Sequence, residues 1–261
     1  MRILVTNDDG INAPGLKILA DVARTLSDDV WIVAPDTNQS GASHSLTLHE
    51  PLRCTQVADR TFSVRGTPTD CVIMGVRHIL LKSPPDLVLS GVNRGSNIAE
   101  DVTYSGTIAG AIEASLLGIR AVAFSQSIDY DAGEIHWDTA LAHGPGILRR
   151  LIETDWNPAV LLNVNFPPLP PDDVGGVMVT VQGKRDQSLL HIDERFDTWK
   201  QPYYWFNFER RRSNPLHGTD LWAIYNGLIS VTPLTPNLTH LPATETLAGV
   251  FSNGGGLSRG S

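Results

Sequence analysis

Arg2-Ile3-Leu4-Val5-Thr6-Asn7-Asp8-Asp9-Gly10-Ile11-Asn12-Ala13-Pro14-Gly15-Leu16 is the stretch that decides the fold. Arg2 to Thr6 is a short apolar, β-rich run that ends abruptly, the mark of a buried strand. Asn7 to Gly10 is turn chemistry. Pro14 falls near the first position of a helix, where its missing N–H costs nothing. Strand, turn and helix in that order put Asp8 and Asp9 at the carboxyl end of a first strand. Open α/β sheets place their ligand crevice there. Two adjacent carboxylates repel each other unless a positive group lies beside them, and a hard divalent cation with oxygen ligands meets that need. The plainer alternative is a polar turn, since Asn and Asp are default turn residues.

The next elements extend the pattern. Leu16, Leu19, Ala20, Ala23 and Leu26 form one apolar stripe at helical spacing. Val30 to Ala34 is a second buried strand. Strand, helix and strand make a βαβ unit, so a parallel sheet with right-handed crossovers is expected. The loop Thr37-Asn38-Gln39-Ser40-Gly41-Ala42-Ser43-His44 then opens on the same crevice. Residues 45–65 break the rhythm with short alternating segments and predict a small antiparallel insertion. Thr67 as N-cap, Pro68 at the first position and Asp70 in the first turn start a helix running to about Leu81.

Asp86 to Ser90 is a third core strand, followed by Gly91-Val92-Asn93-Arg94-Gly95-Ser96-Asn97, a tight turn rich in amides. Tyr104-Ser105-Gly106-Thr107 opens a small-residue helix with Ser105 or Gly106 as N-cap. Free N–H groups, the positive end of the helix dipole and two hydroxyls make an anion site there. Strands follow at Ala121 to Ser125 and Val160 to Phe166, with an intervening helix expected to kink or restart at Gly144-Pro145-Gly146. Beyond Pro168 the rhythm is lost. Residues 169–251 read as an extended, hairpin-rich arm, with an aromatic strand Tyr203 to Phe208 and a hairpin turning at Tyr225-Asn226-Gly227. Aromatic strands without a local core often bury themselves on a partner chain. Residues 252–261, with their run of glycines, read as a disordered tail.

Composition bounds the function. The 261 residues are 41% hydrophobic and 18% charged, with a formal net charge of -8. An acidic chain is a poor general partner for nucleic acid, although Arg210-Arg211-Arg212 is a local basic run. Two cysteines, Cys54 and Cys71, make neither a disulfide framework nor a zinc site. There is no apolar run long enough for a bilayer and no leader pattern, so the cytoplasm is expected.

The topology brings Asp8, Asp9, Ser40 and Asn93 together at the carboxyl ends of parallel strands. Two carboxylates, a hydroxyl and an amide carbonyl make a hard partial shell for Mg²⁺, Mn²⁺ or Ca²⁺. Asn97, Ser105, Gly106 and Thr107 add neutral donors on the same crevice. A metal beside a phosphate-sized anion site suggests hydrolysis of a phosphate ester. Asp8 or Asp9 could handle the proton of the attacking water, or the metal alone could suffice. His44 is the nearest imidazole. A dinucleotide oxidoreductase is disfavoured, because Asn-Asp-Asp-Gly replaces the Gly-x-Gly-x-x-Gly turn.

Several longer motifs in order resemble the stationary-phase survival protein SurE family. They are Asn7-Asp8-Asp9-Gly10, Ala34-Pro35-Asp36 with Gln39-Ser40-Gly41, Gly66-Thr67-Pro68-Thr69-Asp70-Cys71, Ser90-Gly91-Val92-Asn93 with Gly95 and Asn97, and Tyr104-Ser105-Gly106-Thr107. Later matches are Asn163-Val164-Asn165-Phe166-Pro167, Gly218-Thr219-Asp220 and Val231-Thr232-Pro233-Leu234. The resemblance implies a Rossmann-like three-layer αβα domain over residues 1–168 and a divalent-metal-dependent 5'/3'-nucleotidase. It implies one metal ion per subunit, Mg²⁺ or Mn²⁺ with Ca²⁺ as a crystal stand-in, on Asp8, Asp9, Ser40 and Asn93. It implies phosphate contacts from Asn97 and Ser105 to Thr107, and a homodimer with exchanged carboxyl-terminal arms that pairs into a tetramer. The alternatives are a broad phosphatase or exopolyphosphatase, and a nucleotide-binding protein without turnover. One departure stands out: Ile98-Ala99-Glu100-Asp101 follows Asn97 where the family pattern leads one to expect Leu-Gly-Asp-Asp.

Overall fold

A computed structural model describes residues 1–129, 132–185, 190–208 and 213–253. The main sheet has nine strands in the order β3-β4-β2-β1-β5-β6-β7-β11-β8. These are β1 (Arg2–Thr6), β2 (Asp29–Pro35), β3 (Arg53–Ala58), β4 (Thr61–Arg65), β5 (Leu87–Arg94), β6 (Arg120–Gln126), β7 (Leu161–Phe166), β8 (Val177–Val179) and β11 (Ile229–Leu234). The pairings of β4, β2, β1, β5, β6 and β7 are all parallel. β3 is antiparallel on β4, and β11 is antiparallel on β7. A mostly parallel sheet between helices makes this the expected α/β fold.

The chain leaves β1 towards β2 and β4, then returns to β5 on the other side of β1. The strand order therefore reverses between β1 and β5, and a crevice opens at their carboxyl ends.

Helices cover both faces. On one side α1 (Pro14–Arg24) and α4 (Trp137–Glu153) bury Leu16, Leu19, Ala23, Ile147 and Leu148 against Ile3, Val5, Leu89, Phe124 and Val164. On the other, α2 (Pro68–Met74) and α3 (Gly106–Leu116) bury Val72, Ile108, Ala111 and Ala114 against Leu4, Val33, Val88 and Ala123. Alternate residues of β1 thus feed opposite cores, as the period of a strand requires. Gly15 is needed for the seating of α1: a Cβ there would stand 1.9 Å from the Val92 carbonyl oxygen.

Residues 45–48 form no strand, and the expected insertion is the β3–β4 hairpin, which extends the main sheet through β4. α2 ends at Met74 and continues as a wider helical turn over Gly75–Ile79. α4 runs through Pro145 without a break. The carbonyl that loses its donor there is that of Leu141, on the exposed side, where water can replace it. Gly144, one residue earlier, packs against Phe124 and Val22.

The hairpin expected around Tyr225 is instead a helix, α5 (Asp220–Tyr225), followed by β11. Thr219 caps it by accepting a hydrogen bond from the Trp222 N–H, so the cap outweighs the β-prone residues that follow. The aromatic strand is present as β10 (Pro202–Phe208), paired antiparallel with β9 (Leu190–Phe196) in a separate two-stranded sheet. The last element is α6 (Leu241–Asn253), and 254–261, most of the expected tail, lie outside the described residues. The Arg210 to Arg212 run also lies outside them.

Candidate active site

β1 ends at Thr6 and delivers three polar residues to the crevice. Asn7 donates its side-chain amide to the Gly10 carbonyl at 3.0 Å and closes the turn. Asp8 is only 4% exposed and accepts a hydrogen bond from the Thr107 hydroxyl. Burial pushes the Asp8 carboxyl up to about 6, and the neighbouring charge of Asp9 adds to that, against the Thr107 hydrogen bond. Burial also raises Asp9, opposed by the Arg94 backbone N–H at 3.0 Å, the Arg94 charge and the Asn38 amide.

Each neighbouring loop is tied to this pair. The Gln39 N–H donates to the Asp8 carbonyl at 2.7 Å, and the Asn38 amide reaches Asp9 at 3.3 Å. Asn38 in turn accepts from the Ser40 N–H at 2.8 Å, a local turn that ties Ser40 to the residue bonded to Asp9. Asn93, at the end of β5, spends its amide on the Gly95 carbonyl at 2.8 Å, leaving its carbonyl oxygen as an acceptor. Ser105 caps α3 by accepting from the Ile108 N–H at 3.0 Å. The amino end of an eleven-residue helix is thereby set against Asp8.

Asp8, Gly106 and Thr107 are in direct contact. Ser40 and Asn93 sit on segments bonded to Asp8 and Asp9 through Gln39, Asn38 and Arg94. Asn97 has no hydrogen bond to either carboxylate among the described residues. It is held from below by Asn163, Asn165 and Ser125. His44 is elsewhere: its Nε2 pairs with Glu113 at 3.0 Å, seven residues along α3 from Gly106, or about 10 Å of helix rise. Glu100 forms no part of the crevice either. Its carboxylate accepts from the Arg185 guanidinium at 3.0 Å and from the Arg185 N–H.

Acceptor oxygens are in excess at the end of β1. Neither Asp8 nor Asp9 forms a salt bridge among the described residues, and the buried Asn7 Oδ1 has no hydrogen-bond partner among them. An anion alone would worsen this imbalance, whereas a divalent cation relieves it. The donor set is hard and all-oxygen, which suits Mg²⁺, Mn²⁺ or Ca²⁺ rather than zinc.

The family described as "Survival protein SurE" matches residues 3–189. The chain belongs to the SurE family. It is 57% identical over 254 residues to a Methylobacterium nodulans protein named 5'-nucleotidase SurE, covering 96% of this chain and all of that one. A Caulobacter vibrioides protein of the same name is 57% identical over 253 residues, with 96% of each covered. Among solved structures, the SurE protein from Aquifex aeolicus superposes with a TM-score of 0.84 at 38% identity, over 96% of this chain and all of that one. For this SurE-family chain, the residues that sequence reasoning missed are Asn38 and the buried partners of Asn97. Leu-Leu-Asn-Val-Asn-Phe carried the signal for two of them. Two amides on the same face of an otherwise apolar buried strand demand buried polar partners.

Proposed function

We propose that this chain hydrolyses nucleoside 5'- and 3'-monophosphates to nucleoside and phosphate, using a divalent metal ion and water. The observation that carries the reading is the Asp8–Asp9 carboxylate pair, which forms no salt bridge among the described residues, with Asp8 set against the amino end of α3. The pair favours a cation, and the free N–H groups of the helix end favour an anion, so a metal and a phosphate group fit side by side. A protein that only bound an anion would gain nothing from two carboxylates next to it.

Asp8, Asp9, Ser40 and Asn93 would hold the ion, which we take as Mg²⁺ or Mn²⁺. A divalent ion there supplies polarisation of the phosphoryl group and a more acidic water. The N–H groups of Gly106 and Thr107, with the Ser105 hydroxyl, bind the phosphate oxygens, while the Thr107 hydroxyl is spent on Asp8. Asn97 donates a side-chain N–H to the same group. Burial raises both carboxyls in the ion-free chain, a bound cation would lower them again, and Asp8 and Asp9 together are the groups we assign to the proton of the attacking water. We propose residues 1–168 as the catalytic domain and residues 169–251, which carry the β9–β10 hairpin, as an arm for oligomerisation, in a homodimer or tetramer. No helix of the described residues is long and apolar enough to cross a membrane, and a cytoplasmic enzyme is the reading we adopt.

The test is phosphate release from nucleoside 5'- and 3'-monophosphates, short polyphosphate and an aryl phosphate, after chelation and after adding back Mg²⁺, Mn²⁺ or Ca²⁺. Release from the nucleotides that returns with metal is expected. Release that ignores chelation would remove the basis of the Asp8–Asp9 assignment. Preference for polyphosphate or the aryl ester would favour the broader phosphatase.

A further inference from the structure

The segment Asn97–Ala99 is gripped by side chains far away in sequence. From β7, Asn165 accepts from the Asn97 N–H at 2.8 Å. The Asn97 carbonyl accepts from Asn163 at 2.8 Å and from Asn165 at 3.2 Å. Asn165 also donates to Asn163 at 3.1 Å, so the two amides orient each other. Asn163, Asn165 and Ser125 are fully buried. The Asn97 side-chain amide donates to Ser125 at 2.8 Å, which uses one of its two hydrogens.

A second grip comes from the carboxyl-terminal part of the chain. The Asp220 carboxylate accepts from the Ala99 N–H at 2.9 Å with one oxygen. Its other oxygen accepts from the N–H groups of Gly183 and Leu221. Gln182 donates to the Ala99 carbonyl at 2.8 Å. Between the two grips Ile98 packs on Leu221 and Ile224. Ala99 holds a φ of 51°, a conformation that costs an alanine free energy and persists only where its surroundings enforce it.

We propose that Asn163, Asn165 and Asp220 are positioning residues for phosphate binding: they lock Asn97–Ala99 from both sides, so that the second hydrogen of the Asn97 amide, without a partner among the described residues, is held towards the crevice. This rests on the reading of Asn97 as a phosphate donor. It makes Gln182, Gly183, Asp220, Leu221 and Ile224 a part of the catalytic centre's construction, beyond any role in assembly. A buried polar network whose side chains orient one another favours one geometry.

The experiment compares Asn165→Leu, Asp220→Asn, Asn97→Ala and the double variant Asn97→Ala/Asp220→Asn in the full-length, metal-loaded protein. It measures KM and kcat for a nucleoside 5'-monophosphate, inhibition by inorganic phosphate, and Mn²⁺ affinity. Each single variant is expected to raise KM and the phosphate inhibition constant by about tenfold, the loss of one charge-assisted hydrogen bond. Mn²⁺ affinity stays at the wild-type value, because none of these residues belongs to the proposed metal set. Asp220→Asn has no further effect on the Asn97→Ala background, since it acts through Asn97. Additive effects in the double variant, or phosphate inhibition unchanged in both folded positioning variants, overturn the proposal. An Asn97→Ala protein with wild-type phosphate inhibition would instead overturn the assignment of Asn97 beneath it. If Asn165→Leu does not fold, Asp220→Asn and its double variant decide alone.

Discussion

Gly106 lies directly on Asp8: a Cβ at position 106 would stand 2.8 Å from Asp8 Cβ and 3.1 Å from its Oδ2. Gly106 is the first residue of α3, so the helix amino end reaches the carboxylate only because a glycine is there. Gly106→Ala leaves the helix intact, as alanine is the better helix former. It forces Asp8 or the first turn to shift by several tenths of an ångström. Displacement of a reacting group on the order of 1 Å costs about a hundredfold in rate. We expect kcat to fall by roughly ten- to a hundredfold with little change in thermal midpoint. An active Gly106→Ala protein would show that α3 does not bear on the chemistry.

Asp8 also makes a stability prediction for the metal-free protein. Its carboxyl is raised by burial from 3.8 to about 6 in the fold. The folded state therefore holds its proton more tightly than the unfolded chain. Stability falls as pH rises through that window and stays lower above it. At 1.36 kcal/mol per pH unit the loss is at most about 3 kcal/mol. Asp8→Asn keeps an acceptor for Thr107 and removes the charge. Its metal-free form should melt higher than wild type at pH 8 and at the same temperature well below pH 4. Adding Mg²⁺ or Mn²⁺ at pH 8 should stabilise wild type and not the variant. Calorimetric melts across pH, with and without metal, decide this. Asp8→Asn should also abolish phosphate release.

His44 tests whether proximity in sequence to Ser40 carries meaning. Its imidazole pairs with Glu113 on the flank of α3, away from the Asp8 end. The pair is partly exposed, and such pairs contribute about 0.2–1 kcal/mol. His44→Ala should leave kcat and KM within about threefold of wild type and lower stability by no more than that contribution. A hundredfold loss of kcat in steady-state assays would make the imidazole part of the reaction.

What the sequence disclosed and what it withheld follow from the range of the interactions. The turn after β1 and the Ser105 cap rest on local chemistry, and short motifs encode them; the reversal of strand order between β1 and β5 is set by long-range pairing and has no such motif. The α5 helix was misread because Leu-Trp-Ala-Ile-Tyr carries β-branched and aromatic residues, while one hydroxyl, that of Thr219, tips the balance. The grip of Asp220 on Ala99 joins positions 121 residues apart. No periodicity records such a contact. Even so, two asparagines in a buried strand announce that some partner exists. Ala99 shows the converse: a left-handed position filled by alanine gives no local sign of its backbone.

The β9–β10 hairpin supplies the last prediction. Tyr204 and Phe206 project from one face of it, and Tyr203 and Trp205 from the other, as strand alternation requires. All four are exposed in the single chain, with Phe206 at 73% and Trp205 at 59%. A ribbon that is aromatic on both faces has no side suited to water, so another surface must cover it. A second copy of the chain is the cover we propose. The catalytic residues named above lie in the main sheet's crevice and not on the hairpin. Trp205→Ser/Phe206→Ser should therefore lower the molar mass seen by light scattering to that of a smaller assembly, while metal affinity per chain is kept. An unchanged assembly would mean that the hairpin is not the contact that holds the copies together.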